Sequence, residues 1–119
     1  MLQQLYIRNY ALIKEVRIEL ANGFTVVTGE TGAGKSILLG ALGLILGERA
    51  DTSVLREAAE KCIVEGIFYN DRLKQHPLAV EQEWTAESAW YLRREILPTG
   101  KSRAFINDTP VTLTQLQSF

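Results

Sequence analysis

The first third of the chain alternates between apolar and polar residues in a way that predicts β-strands. Leu5 and Ile7 alternate with polar neighbours, and the same period of two recurs over residues 16–20, which predicts two half-buried strands. Residues 24–28 form a short apolar run rich in β-branched side chains, directly after a turn signal at residues 21–23. We therefore expect a third, more buried strand that runs antiparallel to its predecessor.

A helix is predicted over residues 35–46, where almost every residue is apolar. Because this pattern leaves nearly no polar face, we expect the helix to be buried on most of its sides. Gly40 and Gly43 each cost about 1 kcal/mol in a helix interior, which is tolerable where the backbone packs closely on a sheet. Gly47 is placed to end the helix in a left-handed cap.

The second half of the chain predicts three more strands. They lie over residues 62–69, 90–96 and 102–106, and the last two are joined by a turn and form a hairpin. Between these runs, residues 48–61 are charged and predicted to be irregular with some helix. Residues 70–87 are polar and are predicted to be an exposed connection.

The chain ends with the start of another helical pattern. A second turn at residues 107–108 precedes a helix for which Thr112 or Thr114 is the candidate cap. The helix carries an apolar periodicity without a partner or a stop signal, formed by Leu113, Leu116 and Phe119. We therefore expect residues 1–119 to be one domain cut from a longer protein, with these three residues in an exposed patch that promotes self-association.

Composition excludes several classes of protein. Lys and Arg number 13 and Asp and Glu 14, and the net charge of −1 gives no global basic field of the kind that drives nucleic-acid binding. One cysteine, Cys62, and one histidine, His76, are too few for a zinc site and allow no internal disulfide, which suits a reducing cytoplasm. The longest apolar stretch, residues 37–46, is well short of the about 20 residues that span a membrane.

The candidate chemistry lies between the third predicted strand and the first helix. The segment reads Gly29, Glu30, Thr31, Gly32, Ala33, Gly34, Lys35 and Ser36, which fits the phosphate-loop pattern G-x-x-x-x-G-K-[ST] in full. Its glycines allow consecutive N–H groups to turn towards phosphate, and the helix start adds partial positive charge. Lys35 supplies a full charge near the β- and γ-phosphates, and the Ser36 hydroxyl is a ligand for Mg²⁺. The sequence therefore predicts a site for ATP with Mg²⁺.

Phosphate binding alone does not hydrolyse ATP, because hydrolysis also needs an acidic residue at a strand end and a group that orients water. Asp71 and Asp108 come nearest to that position, but an asparagine interrupts each run. Glu30 is inside the loop and is expected to be exposed rather than catalytic. We therefore assign no catalytic residue and expect this chain alone to bind ATP weakly without turning it over.

Several segments together resemble the RecN family of bacterial DNA repair proteins, which is related to the SMC (structural maintenance of chromosomes) ATPases. They lie at residues 5–13, 28–37, 46–51, 92–96 and 100–107. The second segment is the family's own form of the phosphate loop, which is more specific than the general pattern. Asp108 stands where glycine is usual, so that turn is expected to differ slightly.

The resemblance covers nearly the whole chain and implies an α/β fold, the N-terminal lobe of an ABC/SMC-type ATPase head, with mixed and antiparallel strands around one buried P-loop helix. It implies ATP and Mg²⁺ as ligands and a role in DNA double-strand break repair and recombination. The implied partners are the rest of the head, a second head in a homodimer and DNA through the whole protein. The implied location is the cytoplasm, associated with the nucleoid.

Two other functions remain open on the residues alone, a small P-loop kinase and an interaction module switched by nucleotide.

Basic residues on the predicted hairpin could contact DNA phosphates, but a solvated strand face is the favoured interpretation for Arg93, Arg94, Lys101 and Arg103. Surface ion pairs are favoured for Arg49 and Arg56. The tryptophans, Trp84 and Trp90, are interpreted as core or interface residues, Cys62 as a small buried hydrophobe and His76 as exposed.

Overall fold

The computed structural model describes residues 2–19, 32–69, 76–82 and 89–118. It contains six strands, three α-helices and one 3₁₀ helix within these residues. The elements are β1 (Leu2–Tyr10), β2 (Ile13–Glu19), α1 (Gly32–Ile45), the 3₁₀ helix (Thr52–Val54), β3 (Cys62–Tyr69), α2 (Pro77–Glu81), β4 (Ala89–Ile96), β5 (Ser102–Ile106), β6 (Thr109–Val111) and α3 (Leu113–Ser118). The strand predicted over residues 24–28 lies outside the described residues.

The six described strands form a single antiparallel sheet. Its order is β2-β1-β3-β4-β5-β6, so β3 and β4 lie at the centre and the short strand β6 lies at one edge. The strands predicted from the period-two pattern are confirmed, and β3 has the bounds that the pattern gave. In the edge strand β6 Pro110 is tolerated, because an edge leaves one side of the ladder unpaired.

The two faces of the sheet differ in chemistry. On one face, a row of directly paired residues crosses all six strands as Val16, Ile7, Val64, Arg94, Ala104 and Val111. One step along the strands, the row on the opposite face reads Arg17, Tyr6, Glu65, Arg93, Phe105 and Pro110. Alternation thus gives one mainly apolar face, which receives the helices, and one polar face, as in other one-sided antiparallel sheets.

The core forms between the apolar face and the helices. Helix α1 packs on β3 and β4, and α3 packs on β5. The buried core residues are Leu5, Ile7, Ala41, Leu44, Ile45, Cys62, Val64, Leu78, Leu92, Ile96, Ala104, Ile106 and Leu116. No helix within the described residues is long and apolar enough to cross a bilayer.

Three expectations about exposure are wrong. Residues 70–87 were expected to be an exposed connection, but α2 lies within them and buries Leu78 and Ala79. His76 is only partly exposed and caps α2, because its Nδ1 accepts a hydrogen bond from the Leu78 N–H at 3.1 Å. Leu116 was expected in an exposed patch but is buried at 2% exposure. Each side chain is covered by a tertiary contact that its local pattern does not show.

The cap of α3 is Thr112, one of the two candidates. The Gln115 N–H donates to Thr112 Oγ1 at 3.1 Å, and the Thr112 N–H donates to Gln115 Oε1 at 2.9 Å. This reciprocal pair is a capping box, and it satisfies two backbone donors at the helix start. Helix α3 is thereby fixed at the point where it meets the sheet.

Candidate nucleotide-binding site

The glycine motif and helix α1 are one continuous feature. Gly32–Ile45 is helical, so α1 begins inside the motif, three residues earlier than predicted. The first turn of α1 contains no acidic residue. A helix start offers free N–H groups and partial positive charge, and here no carboxylate within that turn neutralises them, so this end of α1 fits an anion.

The predicted site residues are therefore described only in part. Gly32, Ala33, Gly34, Lys35 and Ser36 form the start of α1 as far as the backbone is concerned, and the side chains of Lys35 and Ser36 lie outside what the structure describes. The remaining site residues, Gly29, Glu30 and Thr31, lie outside the described residues altogether. Their assignment to phosphate and Mg²⁺ stays a prediction.

Over residues 37–45, the part of α1 whose side chains the structure describes, only Leu39 is exposed and the other positions are buried or partly buried, as expected. Ala41, Leu44 and Ile45 are buried against the sheet, whereas Leu39 and Leu46 are 57% and 56% exposed. The fully buried positions with described side chains all lie in the second half of α1. Among the described side chains, the fully buried ones therefore lie away from the glycine motif, and Leu38 and Leu42 pack partly against the same core.

Two glycines of α1, Gly40 and Gly43, each allow one close side-chain contact. A Cβ at Gly40 would collide with the hydroxyl of Tyr10, at the end of β1. A Cβ at Gly43 would collide with the carboxylate of Glu48, which follows the helix. Each of these glycines therefore leaves room for a neighbouring side chain, and neither contact shows the expected close packing of the helix backbone on the sheet.

The C-terminal end of α1 has the predicted left-handed cap. Gly47 has a φ of 101°, its N–H donates to Leu44 O at 3.2 Å, and the Glu48 N–H donates to Gly43 O at 3.0 Å. These two bonds form a Schellman motif, which satisfies the last helical carbonyls. Gln117 Nε2 from α3 donates to Gly47 O at 2.8 Å and fixes this end from outside.

Arg94 has an environment that differs from the one expected from the sequence. It was expected on a solvated face, but it is 1% exposed and points from β4 into the core beneath the end of α1. Its Nη1 donates to Leu44 O at 3.0 Å and to Glu48 O at 2.7 Å. Its Nε donates to Ser102 Oγ at 2.6 Å. The guanidinium thus joins β4, β5 and α1.

The other basic residues of the hairpin lie elsewhere. Arg93 is on the opposite face, 3.8 Å from Glu65 and 3.5 Å from Glu95, with its guanidinium 4.3 Å from the centre of the Phe105 ring. Lys101 and Arg103 are exposed, as the favoured interpretation predicted. The four cations therefore do not form one patch.

The segment after α1 is anchored by Asn9, which is 4% exposed. Its Nδ2 donates to Glu57 O at 3.0 Å and to Glu60 O at 2.9 Å. Its Oδ1 accepts from the Glu57 N–H at 2.6 Å. Arg56 forms the expected surface ion pair with Glu57, at 3.9 Å.

A cavity of about 420 Å³ lies between α1 and this segment. Its lining residues are Tyr10, Gly40, Leu44, Glu48, Arg49, Ala50, Asp51, Ser53 and Val54. Burial raises the pKa of Tyr10, and hydrogen bonds from the Ser53 side chain and backbone lower the pKa of Asp51. Gly40 lies eight residues along α1 from Gly32, about 12 Å at the helical rise, so the cavity is away from the predicted phosphate site.

Two further assignments are confirmed and one lies outside the described residues. Trp90 and Cys62 are both fully buried. Burial raises the pKa of the Cys62 thiol to about 12, although the nearby charge of Arg94 opposes that rise. Trp84 lies outside the described residues.

Comparison with known proteins first defines the class. The family model described as an AAA domain matches residues 4–108, and the chain belongs to that family. The DNA repair protein RecN of Vibrio cholerae is 44% identical over 119 residues, covering 99% of this chain and 22% of RecN. The predicted resemblance to the N-terminal part of the RecN family is thereby confirmed. The chain spans about a fifth of the length of the curated relatives it matches.

Solved structures show the same fold at low identity. One, from work on ATP-driven dimerization and DNA-stimulated activation of SMC ATPases, has a TM-score of 0.73 at 21% identity, covering 98% of this chain and 75% of that one. The recombination mediator protein RecF-ATPrS of the RecFOR pathway has a TM-score of 0.70 at 14% identity, covering 98% of this chain and 29% of that one. The fold is that of the N-terminal lobe of an ABC/SMC-type ATPase head, as predicted.

Proposed function

We propose that this chain binds ATP with Mg²⁺ through residues 29–36, as the N-terminal lobe of the head of an SMC-like ATPase in DNA double-strand break repair and recombination. The observation that carries the proposal is the start of α1 inside the G-x-x-x-x-G-K-S motif, with no acidic residue in its first turn. Strand, glycine loop and helix start are the context that this motif requires.

Each residue of the motif has a role in this proposal. Backbone N–H groups from Gly29 to Gly34 hold phosphate oxygens, and Lys35 neutralises the β- and γ-phosphates. The Ser36 hydroxyl is the ligand that the chain offers to Mg²⁺, and the metal ion supplies further charge neutralisation when it is bound. The loop does not read the base, so the preference for ATP over GTP rests on the family alone.

The wider role rests on the relatives. The RecN relatives are named as DNA repair proteins, and the SMC ATPases are described by ATP-driven dimerization and DNA-stimulated activation. We propose that the role in DNA repair and the ATP-driven dimerization with DNA-stimulated activation both apply to a longer protein of which this chain is the N-terminal part. The partners of that protein are then a second head and DNA. We also propose a cytoplasmic, nucleoid-associated location. Turnover needs residues beyond this lobe, so residues 1–119 are proposed to bind without hydrolysing.

Calorimetric titration of Mg-ATP into the 119-residue chain tests the proposal. Lys35→Ala removes a charged contact worth about 1.5–3 kcal/mol, so affinity is expected to fall about 10- to 100-fold. The control is Lys61→Ala, which removes an exposed lysine 3.6 Å from Glu95 and is expected to leave affinity unchanged. Equal binding by the parent and Lys35→Ala would contradict the proposed site. Phosphate release by the parent at the rate of a complete ATPase would contradict the absence of turnover.

A further inference from the structure

Strand β4 presents an arginine in a row of paired residues whose other members are small or branched and apolar. Arg94 pairs directly with Val64 on one side and with Ala104 on the other. Beyond these neighbours, the same row continues with Ile7, Val16 and Val111. A fully buried cation at such a position is costly unless its donors and its charge are both matched.

Two hydrogen bonds join Arg94 to the C-terminal end of α1. Both bonds of Nη1 go to backbone carbonyls, Leu44 O in the last turn of the helix and Glu48 O just after it. The bond from Nε to Ser102 Oγ holds the guanidinium in the orientation that reaches these carbonyls. The arginine is therefore aimed at the helix terminus and not at a side chain of the core.

The positive charge of Arg94 is balanced by the C-terminal end of α1. Within the part of the chain that the structure describes, no carboxylate forms an ion pair with it. A helix C-terminus carries partial negative charge of about half a unit, and a cation placed there is stabilised. The partner of the buried charge is therefore α1 itself.

Fixing this end of α1 also sets the position of the other end. The helix has 14 residues and is about 21 Å long. Its fully buried side chains with described positions are Ala41, Leu44 and Ile45, all in the second half. Any rotation of a rigid helix about its C-terminal anchor moves the opposite end furthest, and Gly32 is at that opposite end.

We infer that Arg94 is a positioning residue of the nucleotide site, which acts by fixing the C-terminal end of α1 so that its N-terminal end meets phosphate in the correct orientation. The inference rests on the proposed function, because it assigns a second determinant to the same site. Arg94 lies on the β4–β5 hairpin, so this second determinant of the nucleotide site lies outside the phosphate loop.

The test compares Arg94→Met, Arg94→Lys and the control Arg103→Met in the ¹⁵N-labelled 119-residue chain. Methionine fills the buried space without donors or charge, and lysine keeps the charge without the planar fork. Arg103 lies on the same hairpin but is exposed. Two quantities are measured on folded protein, the backbone amide chemical shifts of residues 32–36 and the affinity for Mg-ATP.

We expect Arg94→Met to shift these amide resonances and to weaken Mg-ATP binding about tenfold, within the range of coupling between separate sites. Arg94→Lys should give a smaller loss, and Arg103→Met should match the parent. Loss of stability alone lowers the unfolding midpoint but leaves native resonances in place. If Arg94→Met does not fold, Ser102→Ala, which removes one acceptor of Arg94, is judged by the same two readouts.

Two negative outcomes are distinguishable. Folded Arg94→Met with parental amide shifts at residues 32–36 and parental affinity overturns the positioning role, whatever its melting temperature. A parent chain that does not bind Mg-ATP defeats the proposed function. In that case the amide shifts still decide whether Arg94 sets the geometry of the helix start, and unchanged shifts would reject it.

Discussion

Gly47→Ala is expected to destabilise the protein by about 2 kcal/mol, because it disturbs the backbone and a neighbouring helix together. Gly47 has a φ of 101°, where a side chain costs about 1–2 kcal/mol. A Cβ would also collide with Gln117, whose Nε2 donates to Gly47 O at 2.8 Å, and a lost hydrogen bond costs about 1 kcal/mol. Alanine recovers about 0.4–1 kcal/mol by restricting the unfolded chain.

A matched control separates the two costs. Gly100 has a φ of 92°, but no heavy atom lies within 4 Å of a Cβ built there. Gly100→Ala therefore carries the backbone cost alone and should destabilise by about 1 kcal/mol or less. Urea unfolding followed by tryptophan fluorescence gives both values. Equal losses for the two glycine variants would refute the claim that Gln117 holds the end of α1, and so would an unaltered stability of Gln117→Ala.

Two further predictions concern α3 and the buried thiol. Thr112→Ala should lower the free energy of unfolding in urea by about 1 kcal/mol, because it removes the cap of α3. The control Thr114→Ala changes an exposed residue and should lower it by a few tenths of a kcal/mol at most. Equal losses for the two variants would contradict the capping box. Burial raises the pKa of Cys62 from its ordinary value of 9.0 to about 12. At pH 9 the thiol is therefore ionised in about one native molecule in a thousand, whereas it is ionised in about half of the unfolded chains. A disulfide reagent should therefore label the native chain far more slowly than the denatured chain, and stability should fall as the pH rises from 9 towards 12, because only the unfolded state then releases the proton.

The strands were predictable because their signal is local. Period-two alternation gave β1, β2 and β4, and the strands predicted over residues 62–69 and 102–106 have the bounds of β3 and β5. The edge strand β6 was missed because it has three residues and contains Pro110, which argues against a central strand but not against an edge. Pairing order was not predictable from these patterns, since β3 is inserted between β1 and β4 by contacts distant in sequence.

Burial was harder to predict than secondary structure. The apolar run of α1 predicted a helix correctly but could not show that Leu39 and Leu46 face away from the sheet. Leu116 lies among polar neighbours and Leu78 lies in a segment that was predicted to be exposed, yet both leucines belong to the buried core. Hydrophobicity along the chain therefore indicated which residues could be buried, while the tertiary arrangement decided which of them are.

One part of the candidate site could be predicted from the sequence and another part could not. The phosphate loop is one continuous segment, so its chemistry could be predicted from the spacing of Gly29, Gly34 and Lys35. The C-terminal end of α1 is held by Arg94 of β4, which Ser102 of β5 orients, and by Gln117 of α3, and these residues form no such motif. Asn9 is a similar case, because its hydrogen bonds reach residues about fifty positions later in the chain.

The sequence nevertheless contains a partial indication that the side chain of Arg94 is buried. Leu92 and Ile96 are apolar and alternate with outward-facing neighbours, so position 94 falls on the core side of β4. An arginine at that register must find acceptors inside the protein, and helix carbonyls are the acceptors available where a sheet is covered by a helix end. What the pattern could not supply was the identity of the helix, which depends on α1 ending above β4. The adjacent Arg93, one step along the same strand, meets carboxylates and an aromatic ring instead, so the opposite roles of two neighbouring arginines follow from the pleat of the sheet.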